Sequence, residues 1–165
     1  MIEDINAQMH TLIDSLTYEE GLVALSALKT MQDFGRMAKY PFNSVCGIKV
    51  EQAINGESFT SMIVAPHHLN VLGILHGGAA YSLADVSTGS AAFSALGDGE
   101  NCVTQDLHYR YLSSVKSGIV TARGKVLKKG RRSVVVESKI YSGDKLIGTA
   151  DGTYAVIRSK PSEES

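Results

Sequence analysis

Residues 77–96 have the sequence GGAAYSLADVSTGSAAFSAL and predict one long helix rich in alanine, serine and glycine. Small residues are unfavourable in an isolated exposed helix, because glycine has a poor helix propensity, but they let other backbone approach closely. The pattern therefore favours a helix around which a sheet is wrapped. Successive residues of a helix are 100° apart, which predicts an apolar side formed by Ala79, Ala80, Leu83, Val86 and Ala91. The opposite side is formed by Tyr81, Asp85, Gly89 and Ala92.

The segments on both sides of this helix predict antiparallel strands. Before it, period-two alternation begins at Cys46, and Asn55-Gly56 predicts a two-residue hairpin turn that leads into a strand at 59–65. After it, turn signals separate strand patterns at about 102–112, 119–128, 132–142 and 145–157. The sequence therefore predicts an α+β fold, in which an antiparallel sheet of five or six strands surrounds one central helix.

Residues 1–40 predict a separate helical arm. Apolar residues recur every three or four positions from Ile2 to Leu16. Thr17 and Glu20 then have the spacing of a capping box, in which each side chain accepts a backbone N–H at the start of a helix. Pro41 predicts the end of this second helix, because the residue before a proline avoids helical angles. The apolar stripe of the second helix is formed by Leu22, Leu25, Leu28 and Met31.

Composition excludes several classes of protein. The 165 residues are 44% hydrophobic, and 16 Lys and Arg against 17 Asp and Glu leave a net charge of −1. This balance argues against binding to nucleic acid through phosphate neutralisation. The acidic N-terminus does not resemble a secretory signal, and no stretch reaches the roughly 20 apolar residues of a membrane helix, so we expect a cytoplasmic protein. Cys46 and Cys102 are far apart in sequence and are predicted to be reduced.

The segment before the central helix carries candidate site residues. The first N–H groups of a helix have no intrahelical partner, and Gly77 and Gly78 have no Cβ to shield theirs. These groups could donate to a carbonyl oxygen, as in an oxyanion hole. A tight turn between loop and helix would also explain the two glycines.

The wider pattern is Asn70-x-x-Gly73-x-x-His76-Gly77-Gly78 followed by Leu83-Ala84-Asp85. It resembles the motif of hotdog-fold acyl-CoA thioesterases of the PaaI-like, phenylacetate-pathway type. The similarity runs over about residues 45–157, and the order of predicted strands and helix also fits. It implies a hotdog domain at 45–158, with 1–40 as an additional arm and 159–165 as a flexible tail.

The resemblance also implies roles for individual residues. The Gly77 N–H would polarise a thioester carbonyl, and Asp85 would act as general base for water or as nucleophile. Asn70 would position water or the thioester, and Thr104 would assist Asp85. His76 would orient the loop. The family reaction needs no metal and no organic cofactor.

The distance between two of these groups predicts an oligomer. Eight residues of helix separate Gly77 from Asp85 by about 12 Å, whereas an attacking group lies about 3 Å from the carbonyl carbon. If both groups act on one carbonyl, Gly77 of one subunit must meet Asp85 of another. A homodimer or a dimer of dimers would satisfy this requirement, as the resemblance also implies.

One basic cluster lies on a predicted turn between strands. Such turns are commonly solvated, but the resemblance implies that this one holds the phosphates of coenzyme A, and arginine and lysine are suited to phosphate. Tyr111, on the preceding strand, is expected to flank the pantetheine. The complete set of predicted coenzyme A contacts is Gly78, Tyr111, Lys128, Lys129, Gly130, Arg131, Arg132 and Ser133.

Several candidates have simpler structural explanations. Asp85 could be a solvated helix carboxylate, Asn70 a loop cap and Thr104 a strand hydroxyl. Asp106 and His108 alternate on one strand, which is typical of a solvent-facing side as well as of an acid–base pair. The histidines His67, His68 and His76 lack the HxH and HExxH spacings of metal sites and are interpreted as loop histidines.

Other functions remain as alternatives. No phosphate-binding loop, dinucleotide fingerprint or GxSxG elbow occurs in the sequence. A hotdog domain that binds acyl-CoA without turnover is one alternative, although a carboxylate facing the thioester would be unfavourable to bury in such a module. A hotdog hydratase or dehydratase is another, but its usual histidine followed by Phe-Pro-Gly is replaced here by His76-Gly77-Gly78.

Overall fold

The computed structural model describes residues 2–33 and 40–158. Within them lie the helices α1 Ile2–Ser15, α2 Tyr18–Asp33, α3 Pro41–Val45 and α4 Gly77–Ser94, with a 3₁₀ turn at Pro66–His68. The strands are β1 Ile48–Ile54, β2 Glu57–Val64, β3 Glu100–Tyr111, β4 Gly118–Lys129, β5 Ser133–Ser142 and β6 Lys145–Arg158.

The six strands form one antiparallel sheet in the order β1-β2-β4-β5-β6-β3, so β1 and β3 are its edges. The predicted hairpin joins β1 and β2, where Asn55 and Gly56 have φ values of +51° and +81°. Both values lie in the left-handed region that an Asn-Gly hairpin turn requires. The α+β fold, with six strands around one helix, is confirmed.

Helix α4 packs against the sheet and contacts every strand. Leu83 is fully buried among Ile48, Met62, Val120 and Ile140. The buried side of α4 is wider than the predicted stripe, because strands surround the helix on more than one side. Ala92, expected on the opposite side, is fully buried with Ser87 and Thr88, whereas Val86 and Ala79 are only partly buried.

Buried hydroxyls let the sheet approach α4 closely. Ser58 donates to the carbonyl oxygen of Ser87 at 2.7 Å, and the hydroxyls of Ser87 and Ser138 are 3.1 Å apart. A Cβ at Gly124 would lie 2.6 Å from Ser58 Oγ and 2.8 Å from the Ser87 carbonyl oxygen. Glycine is therefore needed at this position on β4.

The N-terminal helices lie outside the sheet–helix core. The capping box is confirmed, since the Thr17 N–H donates to Glu20 at 2.8 Å and the Glu20 N–H donates to Thr17 at 3.3 Å. Pro41 begins the short helix α3, and Tyr40 before it has a non-helical φ of −135°. The end of the second helix that was expected before Pro41 stays a prediction, because α2 is described to Asp33 and the following residues lie outside the described ones. A proline at the first helical position loses no hydrogen bond. Residues 34–39 of the predicted arm and the predicted tail 159–165 lie outside the described residues.

Helix α2 contacts the core through the 3₁₀ turn, where Ser26 Oγ lies 2.9 Å from His67 Nδ1. No helix within residues 2–33 and 40–158 is both long and apolar enough to cross a bilayer.

Candidate active site

The start of α4 presents one backbone donor to its surroundings. His76 caps the helix, with its Nδ1 accepting the Gly78 N–H at 2.9 Å. The predicted pair of glycine donors is therefore corrected to one, since the Gly78 N–H is already used. His76 is itself anchored through its own N–H, which donates to the His68 carbonyl oxygen at 2.8 Å. Among the described residues the Gly77 N–H has no acceptor.

Asn70 shapes the loop that precedes α4. Its Oδ1 accepts the N–H of Leu72 at 2.9 Å and that of Ile74 at 3.4 Å, and its own N–H donates to the Ile74 carbonyl oxygen at 2.9 Å. Gly73, inside this turn, has a φ of +66°, which suits glycine. In this single chain the Asn70 amide therefore contacts loop backbone, as in the simpler of its two predicted roles.

Two hydroxyls hold the carboxylate of Asp85, two turns into α4. Thr104 donates to Oδ1 at 3.1 Å, and Tyr154 lies within hydrogen-bond distance of the same oxygen at 3.2 Å. Asp85 is half-buried, whereas Tyr154 is only 2% exposed. Burial raises the pKa of Tyr154 well above its usual value, and the charge of Asp85 raises it further, so this phenol remains protonated.

A bulge in β3 gives Thr104 its orientation. Thr104 pairs with Tyr154 on β6, and the next pair is Asp106 with Thr153. Gln105 lies between Thr104 and Asp106 without a partner on β6 and is the extra residue of the bulge. Without the bulge, Thr104 would share a side with Asp106. With it, Thr104 and Tyr154 both face Asp85.

Asp106 and His108 therefore face away from Asp85, as exposed residues of the outer side of β3. The structure therefore agrees with the interpretation of Asp106 and His108 as solvent-facing residues rather than as an acid–base pair.

Tyr111 lies at the other end of β3, beside the helix start. Its hydroxyl donates to the Gly77 carbonyl oxygen at 3.0 Å, and a Cβ at Gly77 would lie 3.2 Å from that hydroxyl. Between these two ends, Tyr81 on α4 donates to the carbonyl oxygen of Leu107 on β3 at 2.9 Å. Gly77 and Asp85 thus lie along the same unpaired edge strand, at positions separated by two turns of helix.

The basic turn between β4 and β5 lies at the end of β3 where Glu100 begins the strand. Lys129 Nζ is 3.0 Å from Glu100 Oε2, and Arg158 is 2.9 Å from Oε1. The Gly97 N–H also donates to this carboxylate, and these contacts lower the pKa of Glu100 to about 2. Lys129 therefore has a partner within the chain.

The other cations of the turn, Lys128, Arg131 and Arg132, are exposed and have no ion pair with a described residue. The turn is closed by the Gly130 N–H, which donates to the Ser133 carbonyl oxygen at 2.8 Å.

The histidines near the site are part of the packing. His68 is 4% exposed, its Nδ1 accepts the Ala65 N–H at 3.1 Å, and its ring lies 3.9 Å from that of His67. Within residues 2–33 and 40–158, no group of three or more His, Cys, Asp and Glu side chains could hold a metal ion.

Sequence reasoning missed Tyr154 and Thr88, whose hydroxyls lie 2.7 Å apart beneath Asp85. Thr88 is three residues after Asp85 and therefore near it on the helix surface, which is a usable signal. Tyr154 had only a weak signal: a tyrosine on an inward strand position needs a partner for its hydroxyl.

Comparisons with known proteins agree with this fold. The model of the thioesterase superfamily matches residues 72–148. Two proteins of Saccharolobus solfataricus, each named "Putative esterase", are similar in sequence. One is 34% identical over 123 residues, which cover 74% of this chain and 81% of the relative. The other is 37% identical over 89 residues, which cover 53% of this chain and 63% of the relative.

Two solved structures extend the similarity. A thioesterase of Haemophilus influenzae is 26% identical with a TM-score of 0.71, and the match covers 82% of this chain and 95% of that one. A variant of the phenylacetic acid degradation protein PaaI of Thermus thermophilus is 28% identical with a TM-score of 0.65, and the match covers 70% and 97%. The chain therefore belongs to the thioesterase superfamily and has the hotdog thioesterase fold.

Proposed function

We propose that this protein hydrolyses an acyl-CoA or aryl-CoA thioester to the free acid and coenzyme A. The observation that carries the proposal is the carboxylate of Asp85 on α4, whose Oδ1 accepts a hydrogen bond from Thr104 on β3. The same helix begins with the N–H of Gly77, which has no acceptor among the described residues. A carboxylate can serve as base or nucleophile and a backbone donor can stabilise the oxyanion, so these two groups can support thioester hydrolysis without a metal.

The Gly77 N–H donates to the thioester carbonyl oxygen and stabilises the negative charge that develops there. Asp85 removes a proton from water, and the resulting hydroxide adds to the carbonyl carbon. The C–S bond then breaks, and the thiolate of coenzyme A leaves and is protonated. In the alternative route, Asp85 attacks the carbon itself, expels the thiolate and forms an anhydride that water hydrolyses.

One chain does not bring both groups to the same carbonyl, because about 12 Å of helix separates them. We therefore include in the proposal a two-fold dimer, in which Gly77 of one protomer and Asp85 of the other form each site. The unpaired edge β3 supports this arrangement, because both Thr104 and Tyr111 lie on it. Two open clefts of about 620 and 560 Å³ elsewhere on the chain include neither Gly77 nor Asp85.

The phosphates of coenzyme A are assigned to Lys128, Arg131 and Arg132. These cations are exposed and without an ion pair among the described residues, whereas Lys129 is engaged by Glu100. Lys129 is thus a support of the turn rather than a phosphate ligand.

A free-thiol assay tests the proposal directly. Purified protein is mixed with short-chain, long-chain and aromatic CoA thioesters, and release of coenzyme A is followed with a chromogenic thiol reagent. We expect turnover of at least one class. Saturable binding of these compounds without thiol release would instead identify a non-catalytic binding module, and the reversible loss of an enoyl chromophore would identify a hydratase.

A further inference from the structure

We propose that Tyr154 is a positioning residue for Asp85: its phenol, oriented by Thr88, donates to Oδ1 and leaves Oδ2 to face the substrate. This inference deepens the proposed function and rests on it for its kinetic test. Tyr154 lies on β6, opposite Thr104 in the strand pairing, so two neighbouring strands each supply one hydroxyl to the same carboxylate oxygen.

Tyr154 and Thr88 have one hydroxyl proton each, which limits the directions in which their hydrogen bonds can run. Tyr154 Oη lies 2.7 Å from Thr88 Oγ1 and 3.2 Å from both Oδ1 and the carbonyl oxygen of Asp85. The phenol has one proton to donate. An ionised carboxylate only accepts, and a hydrogen bond to a charged acceptor is stronger than one to a neutral hydroxyl. With Asp85 ionised, the favoured order is therefore Thr88 to Tyr154 to Asp85.

Thr88 can reverse this order. Thr88 Oγ1 also lies 2.8 Å from the carbonyl oxygen of Ala84. When the Tyr154 phenol donates to Thr88, the Thr88 hydroxyl donates to this carbonyl oxygen instead. A neutral Asp85 would accept less strongly and would favour that second arrangement. The pair of hydroxyls thus stabilises the charged form of Asp85 in particular.

Burial restricts this effect to a few groups. Tyr154 is 2% exposed and Thr88 is fully buried, so solvent does not replace their hydrogen bonds. Asp85 and Tyr154 are the titratable groups that face each other here, with the Thr88 hydroxyl of α4 and the Thr104 hydroxyl of β3 beside them. The low polarity of this site strengthens each contact.

The test is the pH profile of kcat for Tyr154→Phe, on the substrate found in the thiol assay. Loss of the donor destabilises the charged carboxylate, so we expect the acid limb to move to higher pH. Loss of the fixed orientation of Oδ2 should lower kcat at neutral pH about tenfold. KM should stay within about twofold, because the phenol does not touch substrate.

Three further variants separate positioning from stability. Tyr81→Phe, on the helix α4 that carries Asp85, also removes a phenol, but one that donates to the Leu107 carbonyl oxygen. It should leave the acid limb in place. Thr88→Val should move the limb in the same direction as Tyr154→Phe, and Thr88→Ser, which keeps the hydroxyl, should restore the wild-type profile.

A measurement that does not depend on turnover keeps the inference testable if the proposed function fails. In protein labelled with ¹³C at aspartate carboxyls, the Asp85 signal is assigned by its absence in Asp85→Asn. Its titration midpoint should move to higher pH in Tyr154→Phe and stay in place in Tyr81→Phe. An unmoved midpoint in folded Tyr154→Phe overturns the positioning role, whether or not the wild-type protein hydrolyses a thioester.

Discussion

Asp85 has two oxygens in different surroundings. Oδ1 has the hydroxyl partners Thr104 and Tyr154, and Oδ2 has no hydrogen-bond partner among the described residues. Asp85→Asn keeps the size of the side chain but removes a base and a nucleophile. We expect kcat in the thiol assay to fall at least ~100-fold while the protein stays folded.

Asp106→Asn is the matched control for this substitution, because Asp106 is an exposed carboxylate on the outer side of β3. It should retain wild-type kcat. Equal activity of the two variants would exclude Asp85 from the chemistry.

His68 predicts how stability depends on pH. Burial, with a smaller contribution from neighbouring His67, lowers the pKa of His68 to about 4 from its usual 6.5. Between these values the unfolded chain binds the proton and the folded chain does not, so stability falls as pH is lowered from about 6.5 to 4. The full shift corresponds to about 3 kcal/mol.

Urea unfolding at several pH values measures this effect. Relative to wild type, His68→Gln should lose less stability between pH 6.5 and 4, with a residual slope from His67, whose pKa burial also lowers. His10→Gln, at an exposed site on α1, should keep the wild-type slope. Identical slopes in all three proteins would mean that His68 is accessible to protons in the folded state.

At the scale of elements, the proposed function gives the cations of the turn between β4 and β5 two roles: Lys129 pairs with Glu100, and Arg131 and Arg132 would bind phosphate. Arg131→Ala combined with Arg132→Ala should raise KM for a CoA thioester about tenfold with little change in kcat, because phosphate binding is shared by ground and transition states. Lys139→Ala combined with Lys145→Ala removes the same charge from exposed positions elsewhere and should leave KM unchanged. If both double variants raise KM equally, the effect is long-range attraction rather than binding at the turn.

Local chemistry made some elements predictable. The Asn55-Gly56 turn and the Thr17–Glu20 capping box depend on neighbours in sequence, and both form as expected. The central helix also follows from sequence, because its small residues have no other good explanation. The prediction of its buried side was wrong in part, because periodicity shows which residues are apolar but not how far a sheet extends around a helix.

Bulges explain what strand alternation alone could not predict in the candidate site, where the contact of Thr104 with Asp85 was expected only from the family resemblance. A single extra residue at Gln105 reverses the alternation of β3, so Thr104 faces Asp85 while Asp106 does not. A second register shift, between Val126 and Lys128 in β4, exchanges the sides of the sheet on which Lys128 and Lys129 lie, so Lys129 is on the same side as Val134. Lys129 then meets Glu100, a pair remote in sequence. No local sequence signal marks either shift.

For the whole molecule, the open edge of β3 is the feature that the proposed site depends on. A long strand with unpaired backbone groups is a template for pairing with another chain. Val103, Tyr111 and Leu112 expose about half or more of their side chains along or just after it. A folded monomer should therefore be inactive, since it cannot place Gly77 within reach of a carbonyl beside Asp85.

Complementation between two inactive variants tests the shared site. Asp85→Asn removes the carboxylate. Gly77→Pro removes the N–H at the first helical position, where proline is tolerated, but Tyr111 must shift slightly because the new Cβ would lie 3.2 Å from its hydroxyl. In a mixed dimer, one of the two sites receives both wild-type groups and the other receives neither. Statistical exchange should therefore restore up to about a quarter of wild-type activity.

Native mass spectrometry measures exchange independently of activity, and circular dichroism checks that each variant is folded. Mixing Asp85→Asn with a second Asp85 variant, such as Asp85→Ala, is the control, because no combination of those chains contains the carboxylate. Activity should return only in the first mixture. If mixed dimers form there and no activity returns, Gly77 and Asp85 do not act on one carbonyl across two chains, since every other group of the site is present in both proteins.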